Sequence, residues 1–148
     1  MDLDKLTASI KLHEGSGPIS NGMYLPYEDS LGNKTIAFGH LLSRGVSENV
    51  ATIILGEDIA VCITEAQQQA WWPLVEGCDA RARAYTEILY NIGLTNLDGF
   101  SRALAATMQS DWSGAAAEFR ASVWYSQVGN RAVLLCNMIE TGLDPTAS

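Results

Sequence analysis

The sequence predicts an α+β fold that is mostly helical, and two observations lead to this prediction. Residues 24–42 place short strand-like stretches on either side of the turn-forming run Asp29–Asn33, which is typical of a β-hairpin. From Asp79 onward, apolar residues recur at helical spacing between capping residues, which indicates consecutive helices. We therefore expect a small N-terminal hairpin lobe and a larger helical C-terminal lobe.

The length of 148 residues suits one domain with a sizeable hydrophobic core. Within it we assign residues 1–56 to the N-terminal lobe, 57–78 to a connecting helical region and 79–148 to the helical lobe. Because the connecting region keeps a helical pattern of apolar residues, we expect a helix between the lobes instead of a flexible linker.

The N-terminal half should contain two helices besides the hairpin. Asp2 to His13 forms the first, since acidic residues at its start suit the positive end of the helix dipole. Ser47 is the predicted N-cap of the second, and Gly56 should interrupt that helix. Trp71-Trp72-Pro73 should end it, because proline disfavours the helical conformation in the residue before it.

The C-terminal half should contain four helices, with Gly93 to Gly99 as a connection. The predicted helices are Ala80–Ile92, Phe100–Met108, Trp112–Ser122 and Arg131–Thr141. The predicted N-terminal caps are Asp79, Ser101, Asp111 and Ser113, and the predicted C-terminal stops are Gly93 and Gly142. The four tryptophans should belong mainly to the core, since aromatic residues at helical spacing usually pack inside.

The net charge of −8 comes from 9 basic and 17 acidic side chains. Nucleic acids and anionic membranes attract clustered Lys and Arg, so binding to either is not expected. The sequence has no stretch that is long and apolar enough for membrane insertion, and its first residues have no signal-peptide character. We expect synthesis and initial residence in the cytosol.

The three cysteines, Cys62, Cys78 and Cys136, cannot all pair within one chain and have no metal-binding spacing. We expect free thiols, mostly buried. With two isolated histidines and no phosphate- or dinucleotide-binding motif, we expect no metal site and no cofactor.

Glu14, Asp29 and Thr35 are candidate site residues. Glu14 should end the first helix, and Asp29 and Thr35 should lie on either side of the hairpin turn, so that two carboxylates and a hydroxyl can face one groove. Taken singly, each has an ordinary structural explanation: a cap, a solvated turn residue or a β-branched strand residue. The combination of the three is more specific for a catalytic site than any one of them alone.

This combination, followed by the run TIAFGHLL, resembles the phage T4-type lysozymes, the endolysins of glycoside hydrolase family 24. The C-terminal half is similar to the same family at Tyr90-Asn91-Ile92-Gly93, Trp124-Tyr125 and Asn130-Arg131-Ala132. One departure is the longer segment between Glu14 and Asp29, which adds approximately Ser16 to Gly22. That segment consists of loop-forming residues except Ile19, so we expect a loop there.

The resemblance implies a two-lobed lysozyme-like fold and hydrolysis of the β-1,4 bond between N-acetylmuramic acid and N-acetylglucosamine in bacterial peptidoglycan. Cleavage of a glycosidic bond needs a proton for the leaving oxygen and a nucleophile at the anomeric carbon. Glu14 would be the acid, Asp29 the base that orients a water, and Thr35 a further ligand of that water. Inversion then requires carboxyl groups separated by roughly 6.5 to 9.5 Å.

The resemblance also implies supporting roles for other residues. Gly39, Leu41, Tyr90 and Asn91 correspond to cleft-lining positions that would contact the substrate. His40 would pair with Asp58 and connect the sheet to the following helix, and Arg131 would lie in the cleft beside Glu14. We expect a monomer, released from the cytosol by another factor such as a phage holin.

Three other functions remain open at this stage. A lytic transglycosylase cuts the same bond with one carboxylate and no water, although Asp29 argues against it. A chitinase or chitosanase on a similar scaffold is the second, because a fold does not fix its substrate. The third is a non-catalytic glycan-binding or structural protein, in which the segment Ser16 to Gly22 would disrupt the site geometry.

Overall fold

The computed structural model describes residues 1–146, and the chain divides into two units, residues 1–54 and the chain from residue 55 onward. The first unit contains two small antiparallel sheets, and the second is helical. The predicted fold class, α+β and mostly helical, is therefore confirmed.

Helix α1 spans Leu3–Glu14, close to the predicted bounds. The side chain of Asp2 caps its start by accepting a hydrogen bond from the Lys5 amide at 3.1 Å. Gly15 ends it with φ of 68°, and its N–H donates to the carbonyl of Lys11. Glu14 is consequently the last helical residue, as the sequence predicts.

The predicted hairpin forms one side of a three-stranded sheet. Its strands are β3 (Tyr27–Glu28), β4 (Lys34–Ile36) and β5 (His40–Leu41), in the order β3-β4-β5. Tyr27 pairs with Thr35, and Thr35 pairs with Leu41. The strands are shorter than the sequence suggests, and β5 was not predicted.

The segment Ser16 to Gly22 is only partly loop, so the prediction of a simple loop was wrong. β1 (Ile19–Ser20) lies within it and pairs antiparallel with β2 (Met23–Tyr24). Asn21 and Gly22 connect the strands with φ of 50° and 78°. A two-residue turn with positive φ at both positions matches the twist of paired strands, which explains why these loop-forming residues support a hairpin.

Helix α2 spans Glu48–Gln67 without a break at Gly56, so the predicted interruption was wrong. A glycine inside a helix costs only about 1 kcal/mol relative to alanine, which the remaining helix outweighs. The predicted cap Ser47 is confirmed: its hydroxyl accepts from the Val50 amide at 3.4 Å. The helix ends before the Trp-Trp-Pro run, and the short α3 (Trp72–Val75) begins within it.

Six further helices complete the helical unit over the described residues. They are α4 (Asp79–Ile92), α5 (Leu94–Asp98), α6 (Ser101–Met108), α7 (Trp112–Arg120), α8 (Val123–Val128) and α9 (Asn130–Thr141). The four predicted helices are present. Two helices were not predicted: α5, which lies in the predicted connection, and α8. Both are too short to show a clear periodicity.

Some capping residues differ from those predicted. Asp111 caps α7 by accepting from the Gly114 amide, and Gly142 ends α9 in the left-handed conformation, both as expected. The N-cap positions of α4 and α6 are occupied by Cys78 and Phe100, one residue before the predicted Asp79 and Ser101. Ser113 lies inside α7 and is not its cap.

An aromatic cluster forms the centre of the helical unit. The buried ring of Phe119 lies 6.0 Å from Tyr85, 5.1 Å from Phe100 and 5.9 Å from Trp124, measured between ring centroids. Trp71 is also buried and packs on Tyr85. Such contacts add specific ring geometry to the burial of large apolar surfaces, so this cluster helps to fix the packing of the unit.

The cysteines are free thiols, in agreement with the sequence analysis. Cys62 and Cys136 are buried, and Cys78 is half-buried. Among the described helices, none combines the length and hydrophobicity needed to cross a membrane.

Gly56, inside α2, and Gly93, at the end of α4, should respond in opposite ways to replacement by alanine. Gly56→Ala should raise the free energy of unfolding by about 0.5–1 kcal/mol, because the added methyl meets open space and alanine favours helix. Gly93→Ala should lower it by about 1–3 kcal/mol, because φ of 77° and ψ of 161° are almost restricted to glycine. Urea unfolding followed by circular dichroism measures both. A less stable Gly56→Ala variant would contradict a continuous helix.

Candidate active site

Asp29 follows β3 directly and organises the turn to β4. Its Oδ1 atom accepts hydrogen bonds from the backbone amides of Leu31 at 2.9 Å and Asn33 at 2.8 Å. Its Oδ2 atom accepts one from Asn33 Nδ2 at 3.1 Å. These bonds, above all that from the Asn33 amide, lower the pKa of Asp29 below its ordinary value, because they stabilise the charged form. The carboxylate is therefore ionised at neutral pH.

Thr35 occupies the central strand, between Tyr27 and Leu41 of the neighbouring strands. Its exposure is 2%, and it is the only buried residue in residues 1–54. Its Oγ1 donates to the carbonyl of Asn33 at 3.0 Å. The hydroxyl oxygen keeps lone pairs that can accept a further hydrogen bond.

Glu14 and Gly39 come together within the N-terminal unit. A methyl group placed on Gly39 would lie only 3.0 Å from the Glu14 Oε2 atom. Gly39 also has φ of 82°, a conformation that other residues rarely adopt. The positive φ favours glycine here, and the missing side chain leaves room for the carboxylate to lie against the backbone.

His40 takes part in a local hydrogen bond. Its Nε2 atom lies 2.9 Å from the carbonyl oxygen of Gly45, so this nitrogen carries the proton and donates. The bond connects β5 to the residues that precede α2. Asp58 is an exposed residue of α2, and its pairing with His40 stays a prediction.

The remaining predicted residues belong to the helical unit. Tyr90 and Arg131 line an apolar pocket of about 500 Å³ in this unit, together with Glu87. Asn91 instead accepts a hydrogen bond from Trp124 Nε1 at 2.9 Å, so its side-chain oxygen already has a structural partner.

The sequence analysis did not identify Glu87 as a partner of Arg131. Arg131 Nε donates to Glu87 Oε1 at 2.7 Å, which forms a partly exposed ion pair between α4 and α9. The position of Glu87 three residues before Tyr90 could have indicated that it lies near the other predicted residues, because residues at this spacing share one face of a helix. Over residues 1–146, no cluster of His, Cys, Asp and Glu could hold a metal ion.

Comparison with known proteins identifies the family of this chain. The family model described as Phage lysozyme matches residues 20–137. The chain belongs to the phage lysozyme family. The match includes Asp29, Thr35 and Arg131, and it begins after Glu14.

Two relatives from Dictyostelium discoideum agree with this assignment. They are named Probable T4-type lysozyme 1 and Probable T4-type lysozyme 2, with 26% and 25% identity over 145 residues. Each alignment covers 78% of this chain and 85% of the relative. The resemblance inferred from the sequence is confirmed, and the family supports a lysozyme function in general terms.

The hydrogen bonds of Asp29 predict a specific pH dependence. Because its folded-state pKa is depressed, its contribution to stability is present above the unfolded-state value and is lost as the pH falls through the folded-state value. Asn33→Ala removes the Nδ2 donor and should move the pKa of Asp29 upward. Leu31→Ala is the control, since it keeps the backbone amide. NMR titration of the Asp29 carboxyl carbon measures both variants, and an unchanged value in Asn33→Ala would contradict this role for the side chain.

Proposed function

We propose that this protein is a muramidase that hydrolyses the β-1,4 bond between N-acetylmuramic acid and N-acetylglucosamine of peptidoglycan with inversion. The observation that carries the proposal is Asp29, an ionised carboxylate fixed by the turn and placed one short turn away from Thr35. Family membership and the names of the two relatives support the same chemistry.

Glu14 is the proposed general acid. It ends α1, and its carboxyl group lies against the backbone at Gly39, where no side chain separates the two. A protonated carboxyl group in this position can deliver its proton to the oxygen of the leaving sugar. Gly39, which has a positive φ and no side chain, leaves room for the Glu14 carboxyl group. Glu14 and Gly39 therefore both contribute to the position of the proposed acid.

Asp29 is the proposed general base. A carboxylate that accepts several hydrogen bonds remains charged and can take a proton from an attacking water. A water between Asp29 and the sugar attacks the anomeric carbon from the face opposite the leaving group, which inverts its configuration. This mechanism requires the Glu14 and Asp29 carboxyl groups to be roughly 6.5 to 9.5 Å apart when substrate is bound.

Thr35 would orient that water. Its hydroxyl proton is directed to the Asn33 carbonyl, so its oxygen can act only as the acceptor toward a water molecule. A water that donates one hydrogen to Thr35 and the other to Asp29 directs an oxygen lone pair toward the sugar. The burial of Thr35 fixes the hydroxyl in place before substrate binds.

Other residues have proposed supporting roles. Gly39 and Leu41 in the N-terminal unit, and Tyr90 and Asn91 in the helical unit, are proposed substrate contacts. Leu41 pairs directly with Thr35, and Tyr90 lies at the apolar pocket, which supports their inclusion. The Nδ2 atom of Asn91 would serve the substrate, since Oδ1 is bonded to Trp124. The proposed setting is host-cell lysis after release by a separate membrane factor.

Replacement of either carboxylate should abolish most turnover. Glu14→Gln and Asp29→Asn keep the side-chain shape but remove the acid or the base, so we expect losses of about 10²–10⁴-fold. Asp4→Asn on α1 and Glu28→Gln on β3 are matched controls and should retain activity. Chromatography of digested peptidoglycan, with NMR of the first-formed anomer, measures the result. Wild-type turnover in either site variant would remove that residue from the mechanism.

The product separates hydrolysis from the other possibilities. An inverting hydrolase first releases the α-anomer. A 1,6-anhydro sugar in mass spectrometry would instead identify a lytic transglycosylase, and cleavage of chitin oligomers in preference to peptidoglycan would identify a chitinase. No product from wild-type protein that binds peptidoglycan would identify a non-catalytic glycan-binding protein.

Two replacements at Thr35 separate its hydroxyl from its packing. Thr35→Val keeps the shape of the buried side chain and removes the hydroxyl, so it should lose most activity while the sheet remains folded. Thr35→Ser keeps the hydroxyl and should retain much more. Lysis of peptidoglycan and thermal unfolding are measured on both variants. Equal activity of the two would show that the hydroxyl does not orient the water.

A further inference from the structure

The β1–β2 hairpin connects to the candidate acid through two aromatic rings. The ring of Tyr24 on β2 lies 5.4 Å from the ring of Phe38, measured between centroids. Phe38 directly precedes Gly39, which lies against the Glu14 carboxyl group. Within the N-terminal unit, Phe38 therefore links the hairpin to the residue that lies beside the acid.

Lys11 adds a positive charge beside Phe38. Lys11 Nζ lies 5.1 Å from the centroid of Phe38, within the range of a cation–π contact. Lys11 is three residues before Glu14 on α1, so both side chains lie on the same side of that helix. Among the described residues, no carboxylate forms a salt bridge with Lys11. Its charge is available to a ligand.

The hairpin is held in place at its base. The Leu25 amide donates to the Pro18 carbonyl at 2.9 Å. Gly17 lies so close to the ring of Tyr27 that any side chain at this position would overlap it. Because these contacts involve both ends of the hairpin, Tyr24 is positioned without any substrate.

Tyr24 nevertheless remains 39% exposed, and its partner in the β1–β2 pairing, Ile19, is 50% exposed. Packing against Phe38 uses only part of the Tyr24 ring. Its hydroxyl also has no hydrogen bond within the described part of the chain. An amphipathic ring that is fixed, partly exposed and packed on the residue before Gly39 is suited to a ligand with one apolar face and polar edges.

We propose that Tyr24, Phe38 and Lys11 form a sugar-binding ledge for the glycan strand. The C–H face of one N-acetylhexosamine ring packs on Tyr24, and Lys11 pairs with a carboxylate that peptidoglycan carries on its lactyl or peptide groups. The inference rests on the proposed function and assigns a substrate-binding role to Tyr24, which lies on the strand that pairs with β1 of the segment Ser16 to Gly22. The net charge of −8 makes a local cation valuable for an anionic substrate.

Kinetics on soluble peptidoglycan fragments test the ledge. Tyr24→Ala should raise KM about threefold to tenfold, the effect of one lost aromatic contact, with kcat little changed. Tyr24→Phe keeps the ring and removes only the hydroxyl, so its KM should rise less than that of Tyr24→Ala. Met23→Ala is the matched control, because Met23 is the adjacent residue of β2, is 62% exposed and alternates to the opposite face. Lys11→Gln should also raise KM, with a smaller effect at high salt.

Either of two results would overturn the proposed ledge: an unchanged KM for folded Tyr24→Ala, or an equal increase of KM for Met23→Ala. A second measurement needs no variant: NMR of the wild-type Tyr24 ring during titration with an N-acetylglucosamine trimer. Shifted Tyr24 signals support the ledge, and unshifted signals overturn it. If wild-type protein releases no product, the proposed hydrolysis fails, while the NMR titration still decides whether the ledge binds sugar.

Discussion

The hydrogen bonding of the turn from Asp29 to Asn33 is the constraint on which the N-terminal unit depends. Thr35 is the only buried residue of that unit, so apolar burial contributes little to its geometry. The Asn33 carbonyl accepts from both the Asp29 amide and Thr35 Oγ1. One peptide oxygen therefore fixes the relative positions of the proposed base and the proposed water ligand. A displaced turn would move both, and strands of two or three residues could not compensate.

The helical unit is stabilised in a different way. Phe119, Tyr85 and Trp124 are packed in an aromatic cluster, where replacement of one large ring by alanine typically costs about 3–5 kcal/mol. Burial raises the pKa of Tyr85 to about 12 and that of the Cys136 thiol to about 11, so both groups are neutral at physiological pH. Neither group therefore changes charge at the acidic pH at which Asp29 becomes protonated.

The helical unit thus contains the packed core, and the N-terminal unit contains the proposed acid and base. The proposed acid, base and sugar-binding ledge lie in the unit with the least buried surface, where side chains remain accessible. The rigidity that they need comes from backbone conformation: glycine at residue 39 admits the Glu14 carboxyl group, and the two-residue turn at Asn21 and Gly22 sets the hairpin that carries Tyr24. Site geometry here depends on turns and glycines more than on a hydrophobic core.

The sequence by itself determined features that depend on neighbouring residues. The start of α1 at Asp2, the Ser47 cap of α2 and the turn at Asp29 follow from side chains that bond to amides a few residues away. The long helices follow from apolar periodicity, and the family follows from the spacing of Glu14, Asp29 and Thr35. These signals are local, so no knowledge of packing is needed to find them.

Only the tertiary structure decided features in which distant residues meet or opposing effects compete. Helix continuity at Gly56 is a balance between one unfavourable residue and a whole helix, which a local pattern cannot weigh. Contact between Glu14 and Gly39 depends on how α1 meets the sheet. The Arg131–Glu87 ion pair joins two residues that are 44 positions apart in the chain, and sequence spacing does not determine which charged side chains on two helices will face each other.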